Sequence, residues 1–241
     1  MMAKRELAGI VGGMGPLATI ELMRLVMEET PATCDQEHIP LLVYSNPQVP
    51  DRTKAIFGEG QSPVQALIES SRLLEKAGVT FLVFPCNTAH YFLPEVQSAV
   101  SVPIINMIEE TAAEVQHAGI SKIGILATDG TVTTGIYQIA LKARGIEAEV
   151  PDEFCQFAVM KAIYAVKAGH DLKETAGILE PVLIYMSERV NAVIAGCTEL
   201  PMLLKEPRHG LIVIDTLRVL ARRIVARALH PEGTQLRECQ I

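Results

Sequence analysis

Short apolar runs alternate with longer stretches in which apolar residues recur at helical spacing, and this rhythm continues along the chain. Such alternation is typical of a mainly parallel β-sheet whose strands are joined by covering helices. The apolar runs predict eight strands, at residues 7–11, 41–45, 79–84, 103–106, 122–127, 147–150, 191–195 and 211–214. One connecting helix is clearly bounded, because Ser62 can cap it, Pro63 suits its first turn and Gly78 can end it. The predicted fold class is therefore α/β.

The second half of this pattern echoes the first. The segment FLVFPCNTAH, which contains Cys86, is matched by AVIAGCTELP, which contains Cys197, 111 residues later. The next apolar runs end at Asn106 and Asp215, and GIVGGMGP has a looser counterpart in GILATDGT. These correspondences predict two pseudo-symmetric domains, residues 1–117 and 118–241, each with a mainly parallel four-stranded sheet flanked by helices. The C-terminal helix is free to pack back on the first domain.

Cys86 and Cys197 both follow a predicted strand at a turn into a helix. Ligands of open α/β sheets bind beyond the carboxyl ends of the strands, so facing halves bring both cysteines to an interdomain cleft, the predicted active site. Backbone N–H groups at a helix start favour the thiolate, and two thiols flanking one ligand can serve as base and acid. Cysteine is also a common core residue. The donor groups of Asn87, Thr88 and Thr198 favour the catalytic interpretation.

The composition excludes several classes of protein. With 241 residues, 49% of them hydrophobic, and a mean hydropathy of +0.26, the chain can bury a core. Its 21 basic and 28 acidic residues give a net charge of −7, which argues against nucleic acid as a partner. No segment approaches the roughly 20 apolar residues of a membrane span, and no signal-peptide pattern occurs. Five cysteines, an odd number, without an export signal favour free thiols and a cytoplasmic location.

Other segments carry candidate binding groups. Residues 12–19, GGMGPLAT, come close to a dinucleotide-binding fingerprint, but the acid expected about 20 residues later is absent, and a tight turn explains the glycines equally well. Arg52 ends a Pro-rich loop. Such a loop can hold the guanidinium rigidly to bind a carboxylate, but a solvated surface cation is the more ordinary interpretation. Spacing does not rank Lys161, Lys167 and Lys173. Neither a CxxC pair nor paired histidines occur, so no metal site is predicted.

Together, the segments GGMGP, NPQVPDRT, PCNTAH, VKAG and GCTELP resemble the aspartate/glutamate racemase family, and its aspartate racemases in particular. The similarity extends from Gly9 to about Ala228. The resemblance implies two pseudo-symmetric α/β domains, a cleft with two facing cysteines, and a homodimer. It also implies that the protein uses no cofactor, neither pyridoxal phosphate (PLP) nor a metal.

Carried over residue by residue, the resemblance implies Cys86 and Cys197 as catalytic thiols on opposite faces of Cα. It further implies that Asn87, Thr88 and Thr198 donate hydrogen bonds to the α-carboxylate and that Met14 forms part of the pocket wall. Arg52 and Lys167 are implied as the cations that recognise the side-chain carboxylate. Some family members replace the first cysteine by Thr and are then restricted in the enantiomer that they accept. This chain keeps both cysteines, which implies a two-way racemase. Cys34, Cys155 and Cys239 are interpreted as structural or incidental.

The leading hypothesis is a PLP-independent racemase that interconverts L- and D-aspartate, or glutamate, by two-base 1,1-proton transfer. The alternative within enzymes is a related glutamate or hydantoin racemase, since one methylene is worth only about 1–3 kcal/mol of discrimination. A nicotinamide-dependent reductase is disfavoured by the missing acid. A non-catalytic sensor of acidic amino acids needs the cations but has no use for matched thiols. The expected partner is a small acidic amino acid, with no nucleic acid and no membrane. The roles of Glu199 and His90 stay open.

Overall fold

The structure, a computed structural model, describes residues 6–205 and 208–229, so Cys239 lies outside the described residues. Within them the chain forms seven β-strands: β1 Ala8–Gly12, β2 Leu41–Ser45, β3 Phe81–Val83, β4 Lys122–Ala127, β5 Glu147–Glu149, β6 Ala192–Gly196 and β7 Ile212–Asp215. The same residues form eleven α-helices: α1 Pro16–Glu29, α2 Arg52–Ile56, α3 Val64–Lys76, α4 Leu93–Ser98, α5 Met107–His117, α6 Asp129–Thr134, α7 Ile136–Lys142, α8 Glu153–Lys167, α9 Leu172–Ile178, α10 Glu180–Ser187 and α11 Thr216–Leu229. None of the helices in this described part is long and apolar enough to cross a bilayer.

The strands form two parallel sheets with the orders β2-β1-β3 and β5-β4-β6-β7. The order is the same in both halves, because β1, β2 and β3 take the places of β4, β5 and β6. Asn106 and Asp215, which end the next apolar run in each half, also have the same role, because each accepts a hydrogen bond at the start of a helix. The Oδ1 atom of Asn106 accepts from the N–H of Ile108 at 3.0 Å, and that of Asp215 accepts from the N–H of Leu217 at 2.9 Å. The predicted pseudo-symmetry is therefore confirmed.

The first sheet has three strands where the sequence pattern predicts four. The segment 103–106 makes a single bridge, between Ile104 and Leu82. The N–H of Leu82 donates to the carbonyl of Pro103, and the N–H of Ile105 donates to the carbonyl of Leu82, both at 2.9 Å. Pro103 has no N–H and Asn106 already caps α5, so the segment is too short to continue the ladder. It nevertheless occupies the position that β7 takes in the second sheet.

The helix with the clearest sequence signals lies where they place it. α3 begins at Val64, whose N–H donates to the Oγ of Ser62 at 3.3 Å. Gly78 lies just beyond the end of α3 and adopts a φ of +90°, a conformation that favours glycine. The predicted helix and its end at Gly78 are confirmed, whereas the N-cap residue is Pro63 rather than Ser62. The end of α3 brings the chain directly into β3.

The helix α11 follows the second sheet but packs against α1 on the first. Leu217, Leu220 and Ile224 of α11 are buried in one apolar cluster with Ile10 and Leu22. The first core is therefore completed by the last helix of the described chain. The division of the chain into residues 1–117 and 118–241 stays a proposal.

Candidate active site

The two cysteines that follow equivalent strands reach one pocket. Cys86 lies three residues beyond β3, and Cys197 follows β6 directly. Each residue is 6% exposed, and both line the same pocket. The pocket lies beyond the carboxyl ends of these strands and takes its walls from both halves, as the parallel topology leads one to expect.

All eight residues that the sequence analysis assigned to the site line this pocket: Met14, Arg52, Cys86, Asn87, Thr88, Lys167, Cys197 and Thr198. Six more line it that had no assigned role: Asp51, Thr53, Thr128, Ile163, Tyr164 and Glu199. Thr128 had a signal in the sequence, because it follows β4 as Gly13 follows β1, and the pairing of GILATDGT with GIVGGMGP matches these two positions. The residues of α2 and α8 reach the pocket through packing between distant segments, which no local motif reveals.

The helices that follow the two cysteines are shorter than the sequence predicts. Short 3-10 helices, Thr88–Phe92 and Leu200–Met202, stand where the sequence predicts the starts of α-helices. Such short helices supply little macrodipole. The prediction that the turn favours the thiolate is wrong for Cys197, because burial raises the pKa of its thiol well above the usual value and the Glu199 carboxylate raises it further, while Lys167 opposes them.

A hydrogen-bonded carboxylate lies directly beside Cys197. The Cys197 Sγ–H donates to the Oε2 atom of Glu199 at 3.0 Å, and the hydroxyl of Thr198 donates to the same oxygen at 3.2 Å. Glu199 is only 3% exposed, so these donors compensate its loss of hydration. The raised pKa keeps Cys197 a thiol at neutral pH. Cys197 is thus a proton donor whose acceptor is the Glu199 carboxylate.

Arg52 is fixed at the pocket by three backbone carbonyls. Its Nη1 donates to the oxygens of Val49 at 3.2 Å and Pro50 at 3.1 Å, and its Nη2 donates to that of Met14 at 3.2 Å. Its Nε is buried and has no hydrogen-bond partner among the described residues. The interpretation of Arg52 as a solvated surface cation is therefore wrong. The guanidinium is therefore a pre-positioned cation at the pocket wall.

Lys167 ends α8 and brings a second positive charge from the other half of the molecule. Desolvation lowers the pKa of Lys167, but its electrostatic interactions with Cys197, Glu199 and Cys86 outweigh this effect, so that the pKa lies above the usual value. The ammonium group therefore stays charged beside both thiols. Of the three lysines that spacing does not rank, this one lines the pocket.

Asn87 is tied to the second half of the molecule on both sides of its amide. Its Nδ2 donates to the Oγ1 of Thr216 at 3.3 Å, and the hydroxyl of Tyr137 donates to its Oδ1 at 2.5 Å. An amide nitrogen carries two protons, so one N–H of Asn87 remains for a ligand.

Thr88 joins a triangle of buried hydroxyl groups. Its Oγ1 lies 2.9 Å from that of Thr128 and 3.0 Å from that of Thr131. The Oγ1 atoms of Thr128 and Thr131 are themselves 3.0 Å apart. These contacts cross from the first half to the start of α6 and close the pocket on the side of Thr88.

The glycine-rich turn after β1 is explained by close packing. Gly13 has a φ of +94°, and a Cβ there would lie 2.3 Å from the backbone of Asn46. A Cβ at Gly12 would lie 2.5 Å from the side chain of Thr19. The turn presents Met14, which is 2% exposed, to the pocket wall. These contacts account for the glycines without a dinucleotide.

His90 holds the backbone of Cys86. Its Nδ1 lies 2.8 Å from the Cys86 carbonyl oxygen, and its Nε2 accepts from the N–H of Met107 at 3.1 Å. Because Nε2 accepts, the proton of the neutral ring is on Nδ1 and is donated to Cys86. Burial lowers the pKa of His90 to about 4, so the ring stays neutral at physiological pH. His90 therefore positions the turn and leaves the thiol itself untouched.

Metal ligation finds no support in the described ranges, where no group of three or more His, Cys, Asp or Glu side chains is arranged to hold an ion. Cys34, Cys86, Cys155 and Cys197 are free thiols. Cys34 is exposed and Cys155 lies in the second apolar core.

Comparison with known proteins assigns the chain to a family. The family model described as Asp/Glu/Hydantoin racemase matches residues 11–224 of the chain. The chain belongs to this family. Its two-sheet α/β architecture is that of a racemase fold, as solved structures of relatives show.

Relatives in the racemase family match nearly the whole chain. The "Broad specificity amino-acid racemase RacX" of Bacillus subtilis (strain 168) is 31% identical over 225 residues, which cover 92% of this chain and 97% of RacX. The structure of the Picrophilus torridus aspartate racemase is 34% identical, with a TM-score of 0.85 over 92% of this chain and 94% of that chain. An aspartate racemase homologue from Pyrococcus horikoshii OT3 is 28% identical, with a TM-score of 0.73 over 94% and 99% of the two chains.

The pocket of this racemase-family member combines thiols, cations and neutral hydrogen-bond donors. Two thiols come from equivalent strand ends, two cations come from opposite halves, and amide and hydroxyl donors surround Cys86. Such a set can remove and return a proton at one carbon atom while it holds carboxylates by charge-assisted hydrogen bonds.

Proposed function

We propose that this protein is a PLP-independent racemase that interconverts L- and D-aspartate, with glutamate as the second acidic substrate. One observation carries the proposal: the two thiols of Cys86 and Cys197 share a pocket with the cations of Arg52 and Lys167. A 1,1-proton transfer needs an acid and a base near one carbon, and a dianionic substrate needs positive charge in a protein of net charge −7. The similarity to the aspartate racemase of Picrophilus torridus supports the choice of aspartate.

In the proposed reaction the protons balance between the two thiols. The thiolate of Cys86 takes the α-proton and becomes a thiol, while the thiol of Cys197 gives its proton to the opposite face of Cα and becomes a thiolate. In the reverse direction the two residues exchange roles. The raised pKa of Cys197 supports its start as the acid. The like charge of Glu199 beside the Cys197 thiolate then favours its reprotonation.

The two carboxylates of an acidic amino acid need separate binding groups. We propose that Asn87, Thr88 and Thr198 donate hydrogen bonds to the α-carboxylate, because they adjoin the two thiols. The hydroxyl of Thr198 turns from the Glu199 carboxylate to the substrate when it does so. Arg52 and Lys167 take the side-chain carboxylate, and Met14 forms the wall between the two sets of binding groups. The second N–H of the Asn87 amide is a donor that the contact with Thr216 leaves available to the substrate.

The proposal is tested with purified, reduced, pyridoxal-free protein and L-aspartate in D2O. L-glutamate and L-alanine serve as parallel substrates, and chiral chromatography and proton NMR follow the products. We expect D-aspartate with deuterium at Cα. The variants Cys86→Ala and Cys197→Ala should lose racemisation, while Cys34→Ala, which removes an exposed thiol outside the pocket, should keep it. Undiminished turnover by Cys86→Ala contradicts the mechanism, and binding of aspartate without exchange supports a sensor instead.

A second candidate function is a racemase of broad specificity. The similarity to RacX supports it, together with polar groups in the pocket wall that an acidic substrate does not require. The carboxylate of Asp51 can pair with a cationic side chain, and the hydroxyl of Tyr164 can bond a neutral polar one. The same assay with L-lysine and L-serine distinguishes the two candidates. Turnover of L-lysine that is lost in Asp51→Asn, with aspartate turnover kept, favours broad specificity.

The proposal includes a cytoplasmic homodimer. An exposed apolar row on α1 supports the dimer, because Leu17, Ile20 and Met27 are 47%, 62% and 56% exposed. Light scattering coupled to size-exclusion chromatography should give twice the mass of the chain. Ile20→Glu should reduce this to the mass of one chain, and an unchanged dimer in that variant places the interface elsewhere.

A further inference from the structure

One buried tyrosine contacts both cysteine turns. Tyr137, on α7, is fully buried, does not line the pocket and had no assigned role. Its hydroxyl donates to the Oδ1 of Asn87, the residue directly after Cys86. Its ring lies against Gly196, the residue directly before Cys197, because a Cβ on Gly196 would lie 3.2 Å from the Cε2 atom of Tyr137. A single side chain therefore spans the two turns that carry the thiols.

A second path joins the same two turns through Thr216. The Nδ2 of Asn87 donates to the Oγ1 of Thr216 at 3.3 Å, and the Thr216 hydroxyl donates to the carbonyl of Ala195 at 3.1 Å. Ala195 lies two residues before Cys197 in β6. Asn87 and Thr216 are 2% and 0% exposed, so water does not compete for these bonds. Both ends of the Asn87 amide are thus anchored to the half of the molecule that carries Cys197.

The hydroxyl of Tyr137 also fixes the orientation of the Asn87 side-chain amide. Burial raises the pKa of Tyr137 above its usual value, so the hydroxyl keeps its proton and donates. A donor on this side requires the oxygen of the amide to face Tyr137, which leaves the nitrogen for Thr216 and for the pocket. Without the hydroxyl, this preference is lost, and an amide that turns over presents its oxygen to a substrate carboxylate.

We infer that Tyr137 is a positioning residue of the racemase reaction, which sets the spacing of the Cys86 and Cys197 turns and orients the Asn87 amide. The inference rests on the proposed two-thiol function. If the spacing loosens, the thiol that takes the α-proton still reaches Cα, but the opposite thiol delivers its proton poorly. The carbanion is then protonated again on the face from which it lost the proton. The thiol returns the original proton unless its S–H has first exchanged with solvent, and after that exchange it delivers deuterium from D2O. Exchange of the α-proton with solvent therefore continues through this one thiol while inversion slows.

The experiment compares exchange with inversion in the full-length Tyr137→Phe variant. L-aspartate is incubated in D2O, and at low conversion mass spectrometry counts deuterium in the recovered L-aspartate and in the D-aspartate formed. We expect inversion to fall about tenfold or more, as for other small misplacements of catalytic groups. The ratio of deuterated L-aspartate to D-aspartate should rise at the same time. A purely structural loss, such as a smaller folded fraction, lowers both counts in proportion and leaves the ratio unchanged.

Matched variants complete the test. Tyr185→Phe removes a hydroxyl from a partly buried tyrosine of α10 outside the pocket and should keep the wild-type ratio. Thr216→Val should raise the ratio, while Thr216→Ser, which keeps the hydroxyl, should restore it. If the wild-type protein racemises aspartate and Tyr137→Phe keeps the wild-type ratio, the inference is wrong. If the wild-type protein racemises no amino acid, the proposed function fails and the inference fails with it.

Discussion

The protonation of Cys197 depends on burial and on one neighbouring charge. Glu199→Gln keeps an oxygen that can accept from Cys197 but removes the charge that raises the pKa of the thiol. We expect the pKa of Cys197 to fall, and one unit gives about tenfold more thiolate at a fixed pH. The rate at which iodoacetamide alkylates the Cys197 peptide, measured by mass spectrometry at pH 8, should rise accordingly. Glu95→Gln on the surface of α4 is the control, and equal rates in wild type and Glu199→Gln contradict this prediction.

His90 makes the free energy of unfolding sensitive to acid. The pKa of His90 is about 4 in the folded protein against an ordinary 6.5, so between these pH values the unfolded chain binds a proton that the folded protein does not. Stability therefore falls as the pH decreases through this range, by about 3 kcal/mol in total. Urea unfolding between pH 7 and pH 4 should show a shallower loss in His90→Asn, which cannot titrate. Parallel pH profiles for the two proteins would show that His90 is not responsible.

At the scale of elements, the contact between α2 and α6 holds Arg52 in place. Gly130 of α6 leaves no room for a side chain, because a Cβ there would lie 3.1 Å from the Oγ1 and 3.2 Å from the Cα of Thr53, the neighbour of Arg52. Gly130→Ala should push α2 outward and raise the KM for an acidic amino acid about threefold to tenfold. Gly177→Ala in α9, where a Cβ meets open space, is the matched control. A KM equal to that of the wild type excludes this role of the contact.

Local patterns predict elements well, and contacts between elements poorly. Strands of a sheet covered on both faces read as continuous apolar runs, which is why β1 and β6 are recognisable. The run at 103–106 looks the same, but whether it joins the ladder depends on partners that only the fold supplies.

The same limit applies to the site. The repeat predicts the two cysteine turns, because both follow equivalent strands. It does not predict Tyr137, whose segment IYQIALK reads as an ordinary amphipathic helix and whose partner Asn87 is 50 residues away. Motifs likewise indicate Arg52 but not the three carbonyls that fix it. Side-chain contacts over such separations arise from the packing of whole elements.

For the whole molecule, α11 couples the two sheets through its apolar face more than through its charges. Leu220→Ala should lower the free energy of unfolding by about 2–5 kcal/mol, because Leu220 is completely buried against the first sheet. Arg222→Ala should cost less than about 1 kcal/mol, although Arg222 pairs with Glu29 and Glu114, because these ion pairs are exposed to solvent. Urea unfolding followed by far-ultraviolet circular dichroism measures both. A larger effect for Arg222→Ala reverses this order of importance.

The packing of α11 on α1 also affects how the chain folds during synthesis. Translation proceeds from the amino end, so β1 and α1 leave the ribosome long before α11 exists. Until then Leu22 and Leu25 of α1 lack the helix that covers them in the finished molecule. The first sheet therefore cannot complete its core as an independent nascent domain. A ribosomal product that stops short of α11 displays this apolar face to chaperones and proteases.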